Sequence, residues 1–455
     1  MEIKEIIQNQ REFFNTNSTK PVRFRITQLK RLKHILQQNE DLLNDAIYKD
    51  FKKSVFDNYS TELGLIYNEI DRAVRKLHKW VKPKRVRTDL ANLPGRSYTI
   101  ADPLGVSLII GAWNYPYNIS LIPVVAAMAA GNCVVLKPSE LPANASSAMA
   151  RLINQNFDAK YLVVVEGGIP ETTELLNQKF DKILFTGSTK VGKIVYQKAA
   201  ENLTPVTLEL GGKSPVFFTQ NANLKIGVKR LVWSKFLNAG QTCIAPDYVL
   251  AHSSIKKQFI ERLKEEITQS SYSTENGNYV QIINDRNVKR LEQLIDSTKV
   301  IIGGEVNKED RLISPTVMDN VTLEDAVMQE EIFGPILPVI GYDNLQDAID
   351  QVKSLPRPLS VYVYSQSKAE VKQVFNQLSF GTAMVNDSTI HFANSNFGFG
   401  GVGESGFGSY HGKTGFDTFS HFKSIIKKPT WFELNIKYHP LTSNKLKLVK
   451  WLLKW

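Results

Sequence analysis

Apolar residues in the first eighty positions recur at helical spacing. Ile6, Phe13, Leu29, Leu32, Ile35, Leu42, Leu43 and Ile47 stand among many charges and few glycines, which predicts a packed helical start. The pattern ends in a basic stretch from Arg72 to Arg87, eight Lys or Arg with no acid, broken by Pro83 and followed by the LPGRS turn at Leu93 to Ser97. A solvated helix face is the simplest reading of that stretch. The period then shortens. VSLIIGAW, NCVVLKP, YLVVVEGG and KILFTGS are β-branched runs that stop at Gly, Pro or Ser, with helical stretches such as VVAAMAAG between them. Fully apolar strands alternating with helices predict a parallel sheet covered on both faces. After Glu209 a second series, SPVFF, YVLAH, LPVIGY, LSVYVYS and TAMVN, predicts a second α/β domain running to about residue 412.

Composition narrows the class. At 455 residues, two or three domains with sizeable cores are expected. Hydrophobic residues at 42% against 22% charged exclude a disordered chain. Only Cys133 and Cys243 occur, so no disulfide framework is expected and a reducing cytoplasm is the natural compartment. The N-terminal MEIKEIIQNQREFF lacks the apolar core of a signal peptide, and no run of 18 apolar residues is present to span a bilayer.

The net charge of +11 is local: +7 of it lies from Lys423 to Trp455. Within KLKLVKWLLKW, Lys447, Lys450 and Lys454 share one side of a helix, while Leu448, Trp451, Leu452 and Trp455 share the other. A basic amphipathic helix with Trp at its apolar edge suits the inner, anionic face of a membrane, and its eleven residues are too few to cross one. The alternative is a cap on the fold or a cover over a substrate mouth. Nucleic acid is a poorer partner, because no recognised nucleic-acid motif accompanies the charge.

Several motifs carry chemistry. AWNYPYNIS follows the strand VSLIIG, where ligands bind in doubly wound sheets, and places Asn114 as a neutral hydrogen-bond donor. VVLKPSE puts Lys137 and Glu140 at another strand end. In isolation, the first motif is usually a turn and the second is compatible with no more than a solvated loop. FTGSTKVG, Phe185 to Gly192, turns from strand to helix through Gly187 and Ser188, a phosphate site on physical grounds although it lacks the GxGxxG pattern. LELGGKSP and GQTCIAPD then supply a carboxylate, Glu209, at a strand end and a thiol, Cys243, in a polar loop: the parts for thiol catalysis with a general base. Cys133, on its β-branched run, reads as a small core residue.

At these residues the sequence resembles the aldehyde dehydrogenase superfamily, and within it the class 3 and fatty-aldehyde branch. AWNYPYN, AAGNCVVLKPSE, FTGSTKVG, LELGGKSP, GQTCIAPDYVL, EEIFGP and FGGVGESGFG occur in the family's order over nearly the whole chain. The short N-terminus and the IAPDYVL continuation point to class 3. The departure is NFGFGGVG, Asn396 to Gly403, where relatives commonly carry Leu-Pro.

The resemblance implies an α/β fold with a Rossmann-like cofactor domain (1–80 and 100–208) and an α/β catalytic domain (209–412). A small β oligomerisation arm (81–99 and 413–430) that pairs across a homodimer and the basic tail (431–455) complete it. It also implies roles. Cys243 is the nucleophile, Glu209 the base for hydrolysis, and Asn114 with the Cys243 N–H the oxyanion donors. NAD, with NADP tolerated, is held by Trp113, Lys137, Glu140, Gly187, Ser188, Val191 and Gly192, with Glu331 on the nicotinamide ribose and Phe333 beside the ring. No metal is required. The expected reaction is oxidation of an apolar, long-chain aldehyde to the acid, with a polyene or carotenoid aldehyde as the alternative substrate. Two competitors stand beside it. One is a catalytically silent, membrane-associated scaffold; the other is a coenzyme A-acylating enzyme, against which Glu209 argues because such enzymes lack that base.

Overall fold

The computed structural model describes residues 2–454. The helical start forms as Ile3–Asn15, Val22–Gln38, Glu40–Phe51 and Gly64–Trp80, which bury Leu29, Leu32, Ile47, Ile70 and Leu77. These helices share a core with the helix Asn118–Ala130, every residue of which is buried. An all-round apolar helix of that kind belongs inside a protein.

A six-stranded sheet runs in the order Gly406–Phe407, Val206–Glu209, Lys182–Thr186, Val106–Ile110, Cys133–Lys137, Leu162–Val164. The last five are parallel, and Gly406–Phe407 joins antiparallel. Chain order starts at the central Val106–Ile110, proceeds to one edge and returns to the other side. The strand ends at Ile110 and Thr186 therefore flank a topological switch point, where a ligand crevice forms.

The second sheet has seven strands in the order Val300–Ile302, Thr316–Met318, Ile336–Tyr342, Tyr248–His252, Pro215–Phe218, Ser360–Tyr364, Thr382–Val385. All five strands expected from apolar runs are present; Val300–Ile302 and Thr316–Met318 extend one edge beyond them.

Lys84–Val86, Arg96–Pro103 and Ser420–Lys427 form a separate antiparallel sheet. Arg96–Pro103 continues past the boundary expected at residue 99. The helix Gly412–Thr418 packs against Asn118–Ala130 and Gly64–Trp80 before the chain enters the arm strand.

The tail forms the expected helix, Ser443–Leu452, but none of its residues is buried. Leu448 and Trp451 are exposed and Leu452 is half-buried; Trp455 lies outside the described residues. Its chief packing partner is the neighbouring turn Asn435–Lys437. No described helix is long and apolar enough to cross a membrane.

Candidate active site

The carboxyl ends of the parallel strands open on a cavity of about 1170 Å³. The first sheet sends Trp113, Asn114, Lys137, Glu140, Gly187, Ser188, Val191 and Glu209 to its wall, and loops beside the second sheet add Cys243, Glu331 and Phe333. Gly192 is the one expected site residue that stays off the wall. A Cβ there would come within 2.7 Å of Leu210 Cδ2, so this glycine lets the helix Thr189–Glu201 lie close to the sheet and acts on the site only through that helix.

Cys243 follows a turn in which Asn238, Ala239 and Gly240 all take left-handed φ (53°, 51° and 72°). A side chain at Gly240 would come within 2.2 Å of the Gly334 carbonyl, so the glycine allows the EEIFGP segment to seat against the thiol loop. Side-chain amides hold the turn. Gln241 Nε2 donates to the Asn238 and Gln281 carbonyls (3.0 and 3.1 Å), and its Oε1 accepts from Ile283 N–H (3.0 Å). Asn238 Nδ2 donates to the Asn114 carbonyl (3.0 Å). Asn114 Nδ2 donates to the Gln241 carbonyl (3.0 Å), which occupies one of its two amide hydrogens.

The electrostatics are those of a dry pocket. Cys243 is half-buried where it opens on the cavity. Burial, then the nearby carboxyls of Glu331 and Glu209, push its thiol up; the backbone N–H groups of Cys243 and Ile244 oppose the rise. Glu209 ends its strand with both carboxyl oxygens buried and without a partner, and burial holds it well above the usual carboxylate range. Glu331 lies across Gly211, where a Cβ would fall 1.9 Å from its Oε2, and its Oε1 has no partner. Burial, with a further rise from the Asp247 charge, pushes Glu331 up to about 8.

Phe333, at φ 49°, stands edge-to-face against Trp113 with centroids 5.2 Å apart. Lys137 is buried with Nζ donating to the Pro138 carbonyl (2.7 Å), and it lies 4.0 Å from the half-exposed Glu140 carboxylate. Desolvation lowers its pKa. Ser188 caps the helix Thr189–Glu201, its hydroxyl accepting from Val191 N–H (3.4 Å).

Sequence reasoning missed the support beneath EEIFGP. Lys213 is ion-paired with Asp247 and donates to the Val327 and Glu330 carbonyls (both 2.9 Å), while Asp247 Oδ1 accepts from Ile332 N–H (3.0 Å). Arg290 Nη2 donates to the Ile332 carbonyl (2.7 Å). The available signal was one buried charge of each sign inside LELGGKSP and GQTCIAPD.

The departing segment Asn396 to Gly403 brings Phe399 to the cavity. Phe399 exchanges backbone hydrogen bonds with Tyr410 (2.8 and 2.9 Å), and Gly406 pairs with Glu209. The glycine-rich segment is thus tied to the strand that ends in the buried carboxyl.

Residues 1–425 match the model of the Aldehyde dehydrogenase family. The chain is 43% identical to the 4,4'-diaponeurosporen-aldehyde dehydrogenase of Staphylococcus aureus, with 98% of both chains covered. It is 41% identical to the dimeric NADP-preferring aldehyde dehydrogenase of Rattus norvegicus, covering 94% of each. The solved substrate-bound state of Staphylococcus aureus AldH matches with a TM-score of 0.97 at 42% identity, with 100% of both chains covered.

Proposed function

The chain belongs to the aldehyde dehydrogenase family, and on that premise we propose that it oxidises long apolar aldehydes to carboxylic acids with Cys243 as nucleophile. The observation that carries this is the convergence of Cys243, Asn114, Glu209 and Glu331 on one cavity, walled further by Leu65, Trp113, Phe392 and Phe399. Cys243 sulfur bonds to the aldehyde carbon, and the resulting oxyanion is held by the second amide hydrogen of Asn114 and the Cys243 N–H. As the oxyanion re-forms its carbonyl the former aldehyde C–H bond breaks and the thioester remains on Cys243; a nicotinamide dinucleotide, when bound, would supply the acceptor for that hydride. Its adenosine end fits Lys137 and Glu140, the phosphates fit the capped helix start at Ser188, and the unpartnered Glu331 Oε1 suits a ribose hydroxyl. Glu209 then takes a proton from water as the water adds to the thioester carbon. The carbon–sulfur bond breaks, the proton held by Glu209 passes to sulfur, the acid leaves and the thiol is restored.

NAD is the preferred cofactor in this reading, because the Glu140 carboxylate near Lys137 would repel a 2′-phosphate; NADP is tolerated. The sheet Lys84–Val86, Arg96–Pro103, Ser420–Lys427 serves as a dimer arm, and the exposed tail helix rests on an anionic membrane surface. A carotenoid aldehyde is the second substrate reading, favoured by the named activity of the relative with 43% identity. The test is NADH formation by purified protein over a chain-length series of aldehydes and a polyene aldehyde. Efficiency that rises with apolar length supports the proposal, and a preference for short water-soluble aldehydes overturns it.

A further inference from the structure

One wall of the cavity, built by Ser60, Thr61, Leu65 and Tyr115, stands on an ion pair that the chemistry above does not use. Lys53 Nζ lies 3.0 Å from Glu62 Oε1, with 1% and 0% of the two side chains exposed. The other Glu62 oxygen accepts from the N–H groups of Tyr117 (2.8 Å) and Asn118 (3.1 Å), so it satisfies the opening of the buried helix Asn118–Ala130. Glu62 itself sits in a single π-helical turn, Tyr59–Leu63, and Asn118 Nδ2 donates to the carbonyl of its neighbour Thr61 (2.8 Å). π-Helical turns recur at functional sites.

The pair reaches toward the thiol. Lys53 Nζ stands 4.5 Å from the centroid of the Tyr115 ring, a cation–π contact away from bulk water. At the other end of that ring the hydroxyl is 2.7 Å from Thr242 Oγ1, and Thr242 immediately precedes Cys243. Tyr115 is therefore fixed at both ends, by a cation over its face and by a hydroxyl contact to the thiol loop. Asn114, Asn238 and Gln241 hold the same loop through its backbone.

Burying two charges carries a desolvation cost, and apolar replacements of such pairs are often neutral or stabilising. Stability alone is thus a poor reason for an ion pair beneath a substrate wall. We infer that Lys53 and Glu62 are positioning residues for the dehydrogenase reaction: they hold Tyr115 against Thr242 and so fix both the Cys243 thiol and the wall beside it. The inference rests on Cys243 being the nucleophile.

The experiment compares Tyr115→Phe, the neutral pair variant Lys53→Met with Glu62→Gln, and the three changes combined, in the full-length protein. Readouts are kcat, KM for NAD, thermal midpoint, and the rate of iodoacetamide modification followed on the Cys243 peptide. The expected result is a loss in kcat of about 10- to 100-fold, the size that displacement of a reacting group produces. KM for NAD should change little, and the alkylation rate should be altered. The combined variant should be no worse than its parts, because all act through one contact. Lys53→Arg should recover most of what Lys53→Met loses.

A folded pair variant with wild-type kcat and alkylation rate overturns the inference, as do losses that multiply in the combination. Should the pair variant not fold, Tyr115→Phe and Thr242→Val decide by the same criteria. Cys243→Ala, run alongside, separates the two levels: turnover surviving there removes the nucleophile assignment and this inference with it. A dead Cys243→Ala beside an unaffected Tyr115→Phe removes only the inference.

Discussion

Burial favours the neutral forms of both Cys243 and Glu209, pushing the thiol up and the carboxyl up, whereas the nucleophile and the base act in their charged forms. Cys243→Ala should abolish dehydrogenase turnover, since Cys133, the other cysteine, is buried on its strand and does not line the cavity. Glu209→Gln should behave differently. A single-turnover burst of NADH should survive while steady-state turnover falls by roughly 10²-fold or more; rapid-mixing absorbance measures both, and full steady-state activity would remove Glu209 as the base. Glu331 adds a pH signature. Its folded-state value of about 8 lies above the ordinary 4.5, so the folded state keeps a proton that the unfolded chain loses. That contribution to stability is complete below pH 4.5 and is lost as pH rises to about 8. The thermal midpoint of the cofactor-free protein should therefore fall over this window relative to Glu331→Gln, and parallel curves would contradict the assignment. The same charge, once formed above about pH 8, disfavours the thiolate. Alkylation of Cys243 should then be faster in Glu331→Gln than in the parent protein.

The turn after the strand Val206–Glu209 shows how an element delivers these side chains. At Gly211 a methyl group would occupy the place of the Glu331 carboxylate, which is the mobile end of its side chain. Gly211→Ala should leave the thermal midpoint nearly unchanged and raise KM for NAD by about tenfold, as expected for lost binding with little change in kcat. A large drop in the midpoint would instead mark the turn as a folding element. Elements with long apolar runs were legible in the sequence: the strands from VSLIIG to TAMVN all formed. Those missed have physical reasons. Val300–Ile302 and Thr316–Met318 are three-residue strands, and Gly406–Phe407 is a two-residue pairing inside a glycine-rich stretch, all too short to show a period. Among the motif residues, Asn114, Glu209 and Cys243 stood out in the sequence as a strand-end amide, a strand-end carboxylate and a polar-loop thiol, whereas Glu331 came only with the resemblance carried by EEIFGP, and all four line the one cavity. The ion pairs that brace them, Lys213 with Asp247 and Lys53 with Glu62, were not legible as pairs. The first spans 34 positions of sequence, with only the opposite charges inside LELGGKSP and GQTCIAPD to suggest it, and the second lies in an ordinary-looking charged helical region, so tertiary contact is what pairs them.

At the scale of the molecule, the body and the tail differ in kind. Every element around the cavity is buried on at least one face, whereas Trp431, Leu441, Leu446, Leu448 and Trp451 are exposed along the last segment. Lys437, Lys445, Lys447, Lys450 and Lys454 lie among them. No described residue after Tyr410 lines the cavity. An exposed apolar stripe beside several lysines matches the two components of interfacial binding: apolar insertion, and about 1 kcal/mol per basic residue near an anionic surface. Deleting Lys445 to Trp455 should leave the thermal midpoint close to that of the parent protein, because the helix Ser443–Leu452 has no fully buried residue. The same deletion should weaken sedimentation with anionic vesicles, and raised salt should weaken the binding of the full chain. Activity on long aldehydes presented in vesicles should fall more than activity on short soluble ones, since only the former are delivered from the bilayer. A truncated protein that binds vesicles as well as the full chain and keeps its chain-length profile would show that the membrane reading of the tail is wrong.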